Sequence, residues 1–370
     1  MARRTKKTDE SRPVTLQDIA DRCGVSRITA SCALRRDRKH VSQAVMDRIE
    51  EVAREMGYDP VLSLAARRLK YQHSPQPVEN HLVALFFPVF TERYWTLIFQ
   101  GINSVLQSER YGLLLCRAAE SPDAFRAALP YVFRRGEVDG VLVFALQNIN
   151  LIVPGLLGEP GFGSRPIVTI ADQYSGRAAV VVDDRQAGRL AAAHLLEIGH
   201  RHLLCFHQPD FGIDITRHRV EGHEQAVRDA GLDPAVHLHH APWVWDDPRG
   251  LDAAIADVLA RHPKVTGLLC PNDDTGIRLA RTLRAQGLRI PRDMSLIGAD
   301  DSEEWRDSRD KNIWTTVRLP LEALGAESAR LLLKRIRGEA AEAEVVTLPV
   351  ELVVRGTTCP PSSANRGVKS

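Results

Sequence analysis

Between Val14 and Leu34 the chain reads VTLQDIADRCGVSRITASCAL, with hydroxyl, acidic and glycine residues at offsets that organise two short helices. Thr15 can cap the first helix. Asp18, three residues on, can complete a reciprocal capping box and place negative charge near that helix N-terminus. Ser26 can cap the second helix. Gly24 can take the positive φ that ends one helix and turns sharply into the next. Leu16, Ile19 and Ala20 share a face of the first helix, and Val25, Ala30, Ala33 and Leu34 share a face of the second, a period of about 3.6. An ordinary helical hairpin satisfies this spacing, and so does a helix-turn-helix, whose second helix enters the DNA major groove.

Charge separates the two. Residues 1–70 hold 16 Lys and Arg against 10 Asp and Glu, a surplus of 6, whereas the whole chain carries only +2, so the rest carries −4. A basic appendage on an acidic body is the electrostatic pattern of nucleic-acid binding. The polar loop RRDRKH after Leu34 suits phosphate contacts better than a core. Patterns for covalent or metal chemistry are missing: there is no nucleophile elbow, P-loop, HExxH or GxGxxG after a strand. The six cysteines (23, 32, 116, 205, 270, 359) have no metal spacing and read as buried thiols in a reducing cytosol. No enzyme, cofactor or metal is expected.

The elements that must position these residues follow in order. At 370 residues, 44% apolar and 26% charged, the chain has the length and composition of a soluble protein with a sizeable core plus an appendage. It has no apolar run long enough to span a bilayer and no secretory leader at MARRTKKTDESR. A third helix should open at Ser42 as cap, bury Val45, Ile49, Val52, Ala53 and Met56, and close at Gly57. Pro60 breaks it. VLSLAARRLKY is a short segment before a proline-containing linker. From His81, apolar runs (LVALFFP, GLLLCRA, DGVLVFA, PIVTIA, AAVVVDD, HLLCFH, VTGLLCP, MSLIGADD) alternate with helical patterns. These lie over Tyr94–Glu109, Pro122–Arg135, Gln186–Ile198, up to Ala230, Gly276–Gln286 and Leu321–Ile336. Such alternation over about 280 residues predicts two doubly wound α/β lobes with a cleft between them.

VTLQDIADRCGVSRITAS, HVSQAVMDRIEEVAREMGYDP and ARRL together resemble the headpiece of the lactose-repressor (LacI/GalR) family of bacterial transcription regulators. DDRQAGRLAAAHLLEIGHRHLL, RHRVEGHEQA, LLCPNDDTGIRLARTL, MSLIGADDSEEW and TTVRLPLEALG resemble its effector-binding core. The resemblance implies an N-terminal all-α helix-turn-helix headpiece plus an α/β periplasmic-binding-protein-like (type I) core of two doubly wound lobes. The headpiece would span 1–60, the hinge helix and linker 61–78, and the effector-binding and dimerisation domain 79–358. Lobe 1 would take about 79–183 and 318–345, lobe 2 about 184–317 and 346–358, with a tail at 359–370. It implies a homodimer that binds double-stranded, pseudo-palindromic operator DNA and responds to a small-molecule effector, a sugar or related polyol. The expected role is repression of carbohydrate-related genes from the cytoplasm, at the nucleoid when bound. The alternatives are a solute-binding protein and a regulator answering a non-sugar molecule.

By the same resemblance Arg27 and Ile28 are the sequence readers. Arg27 can donate a bidentate pair to guanine, and Ile28 can touch a thymine methyl. Ser26, Thr29, Ser31 and Arg35 are further candidate contacts, and Thr15 can hold a phosphate at its helix N-terminus. Cys32 stands where the family usually has arginine, and a thiol cannot grip guanine. Ala66-Arg67-Arg68-Leu69 matches the hinge element, two residues further from Pro60 than usual, with Leu69 (or Leu64) as the minor-groove wedge beside Arg67. In the core, Arg219, Asn272 with Asp273, and Asp300 match effector contacts. Arg219 is a fork for vicinal hydroxyls or a carboxylate. Phe87, Tyr94, Trp95 and Trp305 are candidates for an apolar wall. Ala171 and Leu319 replace polar residues frequent at their positions.

Overall fold

The computed structural model describes residues 14–34, 41–56, 58, 80–87, 93–117, 138–144, 165–174, 176–207, 214–242 and 250–362. Arg35, Leu64, Arg67, Leu69, the 61–78 hinge and the helix expected over Pro122–Arg135 lie outside the described residues.

The N-terminal unit is α1 (Leu16–Cys23), α2 (Arg27–Leu34) and α3 (Gln43–Glu55). They close over Ile19, Ala20, Ala30, Ala33 and Ile49, none of which keeps any exposure. The capping box forms as read: the Thr15 and Asp18 side chains each satisfy the other's backbone N–H. Gly24 ends α1 at φ 66, a left-handed conformation a side chain would resist. At α3 the expectation is met in part. Met46, Ile49 and Ala53 are buried, but Ser42, although extended at the N-cap position, makes no capping bond with its side chain.

The second unit alternates strands and helices. In chain order these are β1 (Leu82–Phe87), α4 (Arg93–Ser108), β2 (Gly112–Arg117), β3 (Gly140–Phe144), β4 (Ile167–Ile170), β5 (Ala178–Val182) and α5 (Asp184–Glu197). Then come β6 (Leu203–His207), α6 (Asp214–Asp229), α7 (Pro234–His237), β7 (Leu238–Pro242), α8 (Gly250–Arg261), β8 (Gly267–Leu269) and α9 (Asp273–Ala285). The last are β9 (Ser295–Asp300), β10 (Thr316–Arg318), α10 (Leu321–Ile336), β11 (Val345–Leu348) and β12 (Glu351–Val353). They build two six-stranded sheets, β11-β5-β4-β3-β1-β2 in lobe 1 and β12-β10-β9-β8-β6-β7 in lobe 2. All pairings are parallel except β10 with β12. Strands such as β3 and β4 are buried at every residue, which is why they read as unbroken apolar runs. The chain crosses between lobes after β5, β10 and β11. Because β11 pairs with β5, lobe 1 runs on to Leu348, beyond the crossover expected at 345.

One helix crossing matters most for the site. α5 and α6 meet through glycine: a Cβ on Gly188 would run into the Arg219 carbonyl oxygen, and one on Gly222 into that of Arg185. Ion pairs flank the crossing, Arg185 with Glu221 and Arg189 with Asp229. The backbone that carries Arg219 is therefore set by the absence of a side chain at Gly188. In an exposed helix interior Gly→Ala stabilises by about 1 kcal/mol. Here Gly188→Ala should reverse that sign and cost roughly 1–3 kcal/mol through overpacking. Chemical denaturation checks it, and an unchanged or higher midpoint would contradict the close approach.

Candidate functional site

In the headpiece, α2 has two unlike faces. Ala30, Cys32 and Ala33 are buried, while Ser26, Arg27 and Ile28 are exposed and Thr29 and Ser31 half-buried. Ile28 is 75% exposed, the most open large apolar side chain among the described residues. Water-exposed isoleucine beside an arginine on a short helix is poor for solubility and apt for the floor of a DNA groove. Ser26 Oγ accepts from Thr29 N at 3.0 Å and lies 2.9 Å from Thr29 Oγ1, so these hydroxyls fix the helix start as well as facing outward. Cys32 does more than fail as a guanine donor. It packs into the headpiece core with Ala30 and Ala33.

In the core, the carboxyl ends of the parallel strands gather the other candidates, where open α/β sheets take ligands. Arg219 on α6 keeps 15% of its side chain exposed. Its Nε donates to Asp184 Oδ1 at 2.7 Å and its Nη1 to the Pro271 carbonyl at 2.7 Å. Its Nη2 stands 4.0 Å from Asp300 Oδ1. Asp184, the first residue of α5, was not foreseen from sequence, and it is the closest acid to the guanidinium. Burial works against the Arg219 charge, and the Asp184 and Asp300 carboxylates more than offset it, holding the group firmly protonated. Burial raises the Asp184 carboxyl, and Arg219 opposes that rise. One turn below, His223 is buried with its Nδ1 3.4 Å from Cys205 Sγ. Burial, with Arg219, His240 and His207, lowers it to about 3 and keeps it neutral.

Asp300 closes β9 at φ 119 and Asp301 follows at φ 56. Two successive non-glycine residues at positive φ cost on the order of 1–3 kcal/mol each. The strain is held by Asp301, whose carboxylate takes Arg318 at 2.8 Å and Arg355 at 2.7 Å, and by Leu319 N donating to the Asp300 carbonyl. The effect is to fix the Asp300 carboxylate opposite Arg219. Asn272 caps α9, its Oδ1 accepting from Thr275 N at 2.8 Å, which leaves its amide nitrogen to donate. From lobe 1 come Phe87 and Trp95, both half-buried, with Trp95 edge-on to Phe144 at 4.4 Å and to Tyr94 at 4.9 Å. The lobes touch at Arg93 Nη1 and Glu304 Oε1, 3.7 Å apart and solvent-accessible, a weak contact.

Two expectations need correction. Asp273 does not face a ligand. It has no exposure, and its oxygens accept from Trp314 Nε1 at 2.8 Å, Thr316 Oγ1 at 2.6 Å and Ser302 N at 3.1 Å. It is a brace that ties α9 to β10 and to the loop after β9. Trp305 is likewise no cleft wall: it lies in the lobe 2 core 6.1 Å from Trp314, with Arg284 at the far end of α9 stacked 4.1 Å over its ring. Of the replaced polar positions, Ala171 and Leu319 are both buried.

A polarised recognition helix and a strained, charge-paired cleft in one chain define a DNA-binding regulator with a ligand-sensing core. Residues 15–61 match the family described as bacterial regulatory proteins, lacI family, and residues 192–358 match the periplasmic binding protein-like domain. The HTH-type transcriptional regulator CelR of Thermobifida fusca is 29% identical over 356 residues, 94% of this chain and 99% of that protein. Among solved structures, the transcriptional regulator CelR–cellobiose complex aligns with a TM-score of 0.65 at 26% identity, over 93% of this chain and 99% of that one. The Lac repressor dimer bound to operator and an anti-inducer shares the fold, with a TM-score of 0.72 at 21% identity over 94% of this chain and 100% of that one. The chain thus carries a lacI-type helix-turn-helix domain and a periplasmic binding protein-like domain, the pairing found in its HTH-type transcriptional regulator homologues. Among the described residues no helix is long and apolar enough to cross a membrane.

The Asp273 brace gives a pH test. Burial lifts its carboxyl from the ordinary 3.8 to about 7, against the three donors that favour the charged form. Folded protein therefore keeps a proton that unfolded chain releases. The contribution to stability is full below about 4 and is lost as pH rises through about 7. Asp273→Asn removes the titration and leaves one amide oxygen for three donors, costing roughly 1–3 kcal/mol at low pH. The stability gap between wild type and variant, measured by denaturation at pH 5 and pH 8, should narrow as pH rises. A gap that widens would contradict this assignment.

Proposed function

We propose that the chain binds a pseudo-palindromic operator as a homodimer and changes its grip when a polyhydroxylated effector occupies the cleft, acting as a repressor of carbohydrate-related genes. The observation that carries the DNA half is the outward pair Arg27 and Ile28 on α2, backed by a helix face wholly given to the core. Arg27 is the guanine reader and Ile28 the methyl contact, with Thr15, Ser26, Thr29 and Ser31 at phosphates or base edges. Arg219, Asp300 and Asn272 are the effector contacts, a donor fork, an acceptor and a donor amide suited to adjacent hydroxyls, with Phe87 and Trp95 as the apolar wall. The cellobiose named for the CelR complex supports a carbohydrate as effector class. We read the cleft as binding without turnover, since among the described residues Asp184 and Asp301 are each tied to a guanidinium rather than poised against a proton donor. Ligand closure would shift one lobe against the other through the three crossovers and so bias the headpieces.

Operator titrations by fluorescence anisotropy, with a site selected from random DNA, test the reading. Arg27→Ala should weaken the selected site by about 10- to 100-fold, the 1–3 kcal/mol of a bidentate base contact, and relax preference at one base pair. Binding to unrelated DNA should change little, because that grip is phosphate and salt dependent. Equal loss on all sequences would assign Arg27 to the backbone. Unchanged binding on both would overturn the α2 assignment.

A further inference from the structure

We infer that four stacked imidazoles in lobe 2 form a proton-sensitive clasp: neutral, they hold edge strand β7 to the lobe, and acid releases it. The rings come from β6, the α7–β7 segment and α8. His202 precedes β6, His237 ends α7, His239 lies on β7 and His262 follows α8. Successive ring centroids are 5.0 Å (His237–His202), 5.8 Å (His202–His239) and 4.2 Å (His239–His262) apart. Their planes lie at 30°, 10° and 24° to one another, so the rings meet face to face. The stack stands at the amino ends of the strands, the opposite end of the lobe from the cleft. Among the described residues no three donors converge on a metal ion, which leaves the proton as the ligand of these rings.

The strand depends on them. β7 is the end strand of its sheet, paired with β6. Side chains two apart share a face of a strand. On the face of His239, β7 gives the core under α8 only Ala241, which packs with Leu204, Ile255 and Val258, while Leu238 serves the other core cluster. Neutral imidazoles stack as aromatic rings, whereas charged ones a few ångströms apart repel, little screened where water is partly excluded. His237 Nδ1 donates to the Arg201 carbonyl at 2.7 Å. His202 Nδ1 is closed to solvent and has no hydrogen-bond partner among the described residues, so a proton added there finds no acceptor. The charged groups described nearby are Lys264, Arg201 on the Leu196 and His200 carbonyls, the Arg261–Asp257 pair, and Asp233, which caps α7. Beyond His239 lies His240, with His207 and Glu224. Burial, then His237 and Lys264, lower His202 against a bond from the Val236 backbone. Burial, then His262 and the other rings, lower His239. The stability these two lend is therefore full above the ordinary 6.5 and fades as pH falls below it.

Hydrogen–deuterium exchange on the full-length chain reads the clasp directly, with a chelator present and rates corrected for the intrinsic pH dependence of exchange. Between about pH 7.5 and about pH 5.5 the amides of β7 should lose at least about tenfold more protection than those of β9, in the interior of the same sheet. His239 sits between two other rings, and His239→Phe keeps an aromatic face there without a titrating nitrogen. In that variant β7 should lose no more than about threefold over the same range. His202→Phe, at the other inner position of the stack, serves the same purpose if the first variant does not fold. Equal change in β7 and β9 of the wild type, or no change in either, overturns the inference, and that comparison needs no variant. A folded variant whose β7 loses protection as steeply as the wild type also overturns it.

Discussion

The core is organised around one buried ion pair. Arg219 and Asp184 stand on different helices, and neither could occupy its position alone: a lone guanidinium or carboxylate at that depth is penalised far more than the pair. Their bond requires α5 and α6 to approach as closely as the glycines at 188 and 222 allow. It also points the remaining nitrogens at two separate strand ends, the Pro271 carbonyl after β8 and the Asp300 carboxylate at the last residue of β9. One side chain thus binds a helix pair to two strand termini.

Around that pair the lobe holds a layered set of acids with distinct tasks. Asp184 is a counter-ion. Asp273 is a brace with no access to solvent, satisfied by an indole, a hydroxyl and a backbone N–H. Asp301 anchors a strained turn through two arginines, and only Asp300 presents its carboxylate beside the guanidinium. Of these four aspartates in one lobe, three are supports, and Asp300 is the one proposed to meet the effector. The headpiece divides labour in the same way: α2 gives Ala30, Cys32 and Ala33 to the core, and Arg27 and Ile28 to the outside.

Local physics was legible in the sequence. The Thr15–Asp18 capping box and the left-handed Gly24 are short-range features, and both take the form their spacing dictates. Strands buried on both faces announce themselves as apolar runs. Helix α10 spans Leu321–Ile336 as its periodicity indicated. Elements that depend on the rest of the fold were not legible. β7, LHHAP, is too polar to read as a strand and forms because β6 offers it a paired edge. Asp184 read only as the end of the apolar run AAVVVDD, and its partner lies 35 residues on. Asp273 could not be told from a ligand contact, since its three donors come from β10 and from loops that only the folded lobe brings near. Trp305 beside an acidic loop suggested a cleft wall, yet Arg284 and Trp314 claim its ring.

The central claim is that the Asp184–Arg219 pair, rather than either residue singly, builds the cleft. A double-mutant cycle on unfolding free energy with Asp184→Asn, Arg219→Gln and the double variant measures it directly. The pair as described predicts that each single change is strongly destabilising and that the two are non-additive by about 2 kcal/mol or more, since the first already removes what the second would break. Additivity within about 0.5 kcal/mol would contradict it.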